Sequence, residues 1–164
     1  MKTLRVIIWV FFCTMSLTLV SQSTDSIPSI PKVFKLGEHE SSYPTLYKNH
    51  SDILLAVFDN DMDLAFNRWL EVLYEMEGYS DQIGFDLKGL KLWINVFWNN
   101  DGTIAHISYY PKPNSINKDL DELDAFFTSF MNHSSLNVNA VNGFSHYGTA
   151  TFPVYPKRSV IAEK

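Results

Sequence analysis

Cysteine is all but absent: the 164-residue chain holds one, Cys13. That residue lies in an apolar N-terminal stretch, so no disulfide framework and no thiol chemistry is expected in a chain that loses it. Glycine is also scarce, at seven residues, and none falls in a phosphate-cradling loop. Charged residues make up only 19% of the chain, with a formal net charge of −5 and no basic cluster, which argues against nucleic acid as a partner. Outside residues 6–20 no long apolar run occurs. No Gly-x-Ser-x-Gly elbow and no His-x-x-x-His spacing is present either. Recognisable nucleophilic, metal and cofactor chemistry is therefore missing, and neither a catalytic residue nor a cofactor is expected.

What is present begins with a targeting pattern. Lys2 and Arg5 precede the apolar run Val6–Val20, and Ser21, Gln22 and Ser23 follow it. This is the layout of a secretory signal peptide, with cleavage expected near Ser21–Gln22. The run is shorter than the roughly 20 residues of a membrane-spanning helix, so membrane contact is expected only if it stays uncleaved as an anchor. Cleavage removes the two cations Lys2 and Arg5, taking the charge from −5 to −7, and removes Cys13. Secretion without cysteine suits a bacterial periplasm.

The richest stretch is Gly89–Tyr110, GLKLWINVFWNNDGTIAHISYY. Two runs of strand-forming residues flank Asn99-Asn100-Asp101-Gly102, which predicts a β-hairpin. Pairing Trp98 with Thr103 places Leu90, Leu92, Ile94, Val96, Ala105, Ile107 and Tyr109 on an aliphatic core face. The other face carries Trp93, Asn95, Phe97, Ile104, His106, Ser108 and Tyr110. Its mixture of aromatic and polar groups reads either as cross-strand pairing that stabilises the sheet or as a partner surface. The candidate binding residues are Trp93, Phe97, His106 and Tyr110, with Phe144 and His146 from a last strand.

The remaining chain divides around that hairpin. Residues 22–50 contain Pro28, Pro31 and Pro44 and frequent serine, and read as an irregular leader. A short helix is expected at Ile53–Phe58. A longer one follows to about Tyr79, with Met62, Ala65, Phe66, Trp69, Leu73 and Met76 as its apolar stripe. Asn117 reads as the N-cap of a second main helix, with Asp119, Asp121 and Glu122 in its first turn and Leu120, Leu123, Phe127 and Phe130 buried. Phe144–Tyr155 reads as a final strand, and residues 157–164 as a flexible tail. The expected fold is α+β: helix, strand, strand, helix, strand, forming a small antiparallel three-stranded sheet with two main helices on one face.

Three weaker patterns point to structure rather than chemistry. Asp59, Asp61 and Asp63 have the opening spacing of a calcium loop, but Leu64 and Leu70 occupy its glycine and glutamate positions, so helix capping is the better reading. His106 and His146 both fall on strands and meet only if those strands are neighbours. Ser145 and His146 are adjacent and point to opposite faces, so they do not form a dyad.

The pattern over Asp61–Tyr155 resembles the C-terminal domain of TonB-like proteins. Leu92, Ile94, Val96 and Trp98 precede Asp101-Gly102 as that family's first hairpin strand precedes its turn. Ile104 and Ile107 match the apolar places after it, and Leu123-Asp124-Ala125 echoes part of the second helix. Departures are the glycine one residue early at Gly89, Leu136-Asn137-Val138-Asn139 where an aromatic-x-Pro-x motif stands, and the missing long Pro-rich spacer. The resemblance implies a domain that binds a protein or peptide by strand addition along Phe144–Tyr155, without energy coupling to outer-membrane transporters. Self-association through sheet edges is the third expectation, and an envelope enzyme or small-ligand carrier using His106 and His146 is the alternative function.

Overall fold

A computed structural model describes residues 30–155. Its elements are β1 (Val33–Lys35), a 3-10 turn (Glu40–Ser42), α1 (Tyr43–Asn49), β2 (Asp52–Ile53), α2 (Leu54–Val57), α3 (Met62–Ile83), β3 (Lys91–Trp98), β4 (Ile104–Pro111), α4 (Leu120–His133) and β5 (Phe144–Thr151). The expected signal segment and C-terminal tail lie outside the described residues.

The α+β class stands, but the sheet is not a three-stranded antiparallel one. It is five-stranded and mixed, in the order β1-β4-β3-β5-β2. β3 pairs antiparallel with both β4 and β5, while β1 joins β4 and β2 joins β5 in parallel. The two added strands are three and two residues long, too short for a side-chain alternation to be legible in the sequence. Helices also occupy both faces. α3 and α4 cover one, and α1, from the segment expected to be an irregular leader, covers part of the other.

The hairpin turn forms where expected, with Asn99 N–H donating to Thr103 O at 2.8 Å and Gly102 N–H to Asn99 O at 3.0 Å. Asp101 Oδ1 accepts from both the Thr103 amide and its hydroxyl, and these bonds hold the Asp101 carboxyl below its ordinary range. The register differs from Trp98–Thr103 pairing. Trp98 pairs with Ile104 but Phe97 with His106, so Ala105 is an extra residue in a bulge. Beyond the bulge Val96 meets Ile107 and Ile94 meets Tyr109. That is two residues from the expected register, so those faces are preserved. Within the bulge they are not: Ile104 moves to the core side and is buried, while Ala105 is only half-buried.

The main core lies between the sheet and α3/α4. α3 buries Ala65, Trp69, Val72, Leu73 and Met76, leaving Met62 and Phe66, both expected in its stripe, on the outside. Asp61 caps it by accepting from Leu64 N–H at 2.9 Å. α4 buries Leu123, Phe126, Phe127, Phe130 and Met131. Its cap is Asp119, not Asn117: the Asp119 carboxylate accepts from the Asp121 and Glu122 amides at 2.8 and 3.2 Å. We expect Asp119→Ala to lower stability by about 1 kcal/mol and Asn117→Ala to change it little. Equal losses in chemical denaturation would return the cap to Asn117. A smaller second core on the opposite face joins Phe34, Leu46 and Phe97, with Ile30 and Tyr43 packed against it.

Candidate functional site: a groove along the free edge of β5

The six residues expected at a binding surface do not form one site. Across the face opposite the main core, the register sets three rows: Thr149–Trp93–Tyr110, Tyr147–Asn95–Ser108–Phe34, and Ser145–Phe97–His106. α1 closes the third row and part of the second. Phe97 is fully buried beneath it, edge-on to Tyr47 at 5.6 Å and to His50 at 5.4 Å. His106 is half-buried, with Nδ1 2.9 Å from Pro31 O, and burial pushes its pKa below the usual histidine range despite that bond. The first row stays open, as does Tyr147 at the end of the second. Trp93 stacks on Tyr110 at 6.3 Å and carries Lys112 Nζ 5.6 Å from its ring centre.

Phe144 belongs to the main core, stacked on Trp98 at 5.3 Å and fully buried. His146 pairs with Val96 and therefore faces the helices, whereas His106 pairs with Phe97 and faces away from them. β4 and β5 also flank β3 on opposite sides, so the two histidines do not meet. Trp98–Thr103 pairing would set Asn95 opposite His106, but Asn95 lies opposite Ser108. The open depression of about 590 Å³ between the end of α3 and α4 is lined by Phe85, Lys118, Glu122 and Phe126, among others, and contains neither histidine.

Another concavity follows an unpaired strand edge. β2 covers only Phe144 and Ser145 of β5, because the chain turns from Ile53 directly into α2. From His146 to Thr151, β5 is paired with β3 on one side and, among the described residues, with no strand on the other. A groove of about 430 Å³ runs beside this edge. Phe66, Trp69, Leu70 and Leu73 of α3 form its apolar wall, and Val154 and Tyr155 close one end. Its β5 lining includes His146 and Gly148, which face the helices, and Thr149 and Thr151, which face away. The groove therefore follows the strand's edge rather than either face.

The floor is built by close packing. His146 lies against the Trp69 indole, ring centroids 4.6 Å apart, and burial pushes the imidazole below its ordinary pKa. A Cβ at Gly148 would stand 2.9 Å from His146 Nε2 and 3.4 Å from Trp69 Nε1, so glycine gives the two rings room beside the strand. Sequence reasoning named His146 but missed the wall. Helical spacing from Met62 and Trp69 places Phe66 in the apolar stripe of α3, but the helix's rotation against the sheet leaves it 44% exposed.

An unpaired edge offers an N–H and a C=O outward at every second residue, with pockets for alternate side chains on either side. It is suited to backbone recognition. No family model, no curated protein and no solved structure matches this chain.

Proposed function

We propose that this protein is a secreted, periplasmic, non-enzymatic domain that binds an extended protein or peptide segment by adding it as a strand to β5. One observation carries the reading: the His146–Thr151 edge is open and an aromatic and aliphatic groove lies along it. Backbone pairing supplies affinity that is largely independent of sequence. Side chains on the helix side of the added strand meet Phe66, Trp69, Leu70 and Leu73, which favours apolar residues at alternate positions. The TonB-like resemblance implies the same mode and the same strand. The secretory layout of Lys2, Arg5 and Val6–Val20 supports the location, and no helix among the described residues is long and apolar enough to cross a membrane.

The test is a displayed library of random peptides, followed by fluorescence anisotropy on the selected binders. N-methylation along a binder is expected to weaken it about tenfold or more at one parity of positions and little at the other, because only alternate N–H groups face the edge. Amide shifts on binding should centre on His146–Thr151. Uniform tolerance of N-methylation, or shifts centred on Trp93 and Tyr110, would remove β5 as the site. A second copy of the chain can use the same edge, and light scattering across a concentration series separates self-association from peptide capture.

A further inference from the structure

Residues 30–50 join the sheet through β1, which pairs in parallel with β4 and sends Val33 to the main core, and lay α1 on the face opposite α3/α4. Ile107 N–H donates to Lys32 O at 2.8 Å, and Leu36 N–H to Tyr109 O at 2.9 Å. On that face Asn95 Nδ2 also donates to the Tyr47 hydroxyl at 3.1 Å, and two imidazoles lie beside the second core. His50 ends α1 and His106 comes from β4, and their rings stand edge to face with centroids 6.2 Å apart. His50 Nδ1 is 2.9 Å from Leu46 O, and His106 Nδ1 is 2.9 Å from Pro31 O. A carbonyl oxygen only accepts, so Nδ1 carries the proton in both rings and Nε2 is bare when the ring is neutral. Phe97 packs edge-on to His50, and Phe34 to His106.

We propose that His106, packed against His50, forms an acid-released latch, in which its protonation loosens residues 30–50 from the sheet and uncovers the aromatic face beneath α1. A second proton on His106 places a charge beside the Phe34 ring and against the His50 imidazole. His50 and Lys32 both repel a charge on His106, and no carboxylate is among the groups acting on it. Tyr43 and Tyr47 of α1 and His39 beside Phe34 are the other titratable rings in this cluster, and the segment's further charged side chains are Lys35, Glu38, Glu40 and Lys48, with Asp52 following His50. Burial lowers the proton affinity of His106 in the closed form, so the open form binds the proton more tightly. The closed form is therefore fully favoured above the ordinary histidine value of 6.5 and loses ground as pH falls below it. Opening frees Phe34, Leu46 and Phe97 and joins them to the already open Trp93–Tyr110 row. It also reaches Asn95 Oδ1 and Ser108 Oγ, which are buried without a hydrogen-bond partner among the described residues. The latch lies away from the β5 groove and does not depend on peptide binding there.

The test is amide hydrogen exchange on the full chain between about pH 7.5 and about pH 5, the range over which histidine changes charge. The Leu36, His50 and Ile107 amides report on the segment, and those of Ile94 and Val96 on the central strand. After correction for intrinsic rates, exchange of the first group relative to the second is expected to rise about tenfold across that range. His106→Asn keeps a donor near the Nδ1 position without titrating, and should flatten the response. His146→Asn, on the opposite face, should leave it intact. A wild-type ratio that does not change with pH overturns the latch whether or not the variants fold, as does an acid response that persists in His106→Asn or disappears in His146→Asn.

Discussion

Replacing Phe97 by alanine is expected to lower the unfolding free energy by about 3–5 kcal/mol, the range for emptying a buried aromatic site. Phe97 has no exposed surface and is the sheet's contribution to the second core, held between Leu46, Tyr47 and His50 of the α1 region and Phe34 of β1. α1 is seven residues long, and a helix of that length depends on packing rather than on its own propensity. Loss of Phe97 should therefore release α1 as well as leave a cavity, and helical signal should fall along with stability. Trp93→Ala, four residues before it on the same face, removes only a half-buried ring stacked on Tyr110 and Lys112, and is expected to cost about 1 kcal/mol. Urea denaturation of the two variants side by side makes the comparison. Similar small losses would mean that α1 does not seal this face. The contrast also bears on partner tests, because a Phe97 variant that loses binding does so through the fold.

Gly102→Ala is expected to be nearly as damaging, at about 3 kcal/mol, combining left-handed backbone strain with a steric clash. Gly102 has a φ of 82°, and a Cβ there would fall 1.9 Å from the Leu136 carbonyl oxygen. The contact is backbone, so no side chain can move aside. The loop after α4 leans on the turn at this point: Gly102 O accepts from Leu136 N–H at 2.9 Å, and Asn100 O from Ala140 N–H at 2.8 Å. Gly84→Ala is the control. Its φ of 72° carries the same backbone preference, but open space surrounds the added Cβ, so it should cost only about 1–2 kcal/mol. If thermal and urea midpoints fall equally in the two variants, the loop gives way and the clash is not a constraint.

Gly102 was legible in the sequence as a turn residue and not as a packing constraint, and the same division holds elsewhere. Candidate-site residues were named correctly as strand residues, but their surroundings were not visible. Phe97 and Trp93 have the same parity and the same kind of side chain. What separates them is α1, contributed by a stretch whose prolines and serines suggested irregular structure. His106 and His146 differ by the face they occupy, which depends on their partners across β3. The wall of the groove depends on how far α3 is rotated about its axis. A shift of one residue along that helix moves Phe66 from core to rim, and an apolar periodicity does not resolve that angle.

By itself the sequence determined the local structure: the hairpin about Asp101-Gly102, the two long helices, and the inward direction of Leu92, Ile94, Val96 and Ile107. These follow from turn geometry and side-chain period, both properties of neighbouring residues, and they survived a two-residue change of register because the period of a strand is two. The tertiary structure alone decided what lies beside and above the hairpin. β1 meets β4 across 74 positions, Val33 to Ile107, and β2 meets β5 across 92, Asp52 to Phe144. Both pairings consist of a few backbone bonds whose donors and acceptors are the same in every residue, so nothing in the side chains announces them. From them come the closed half of the aromatic face, the histidine pair at the end of α1, and the length of β5 left open beside the groove.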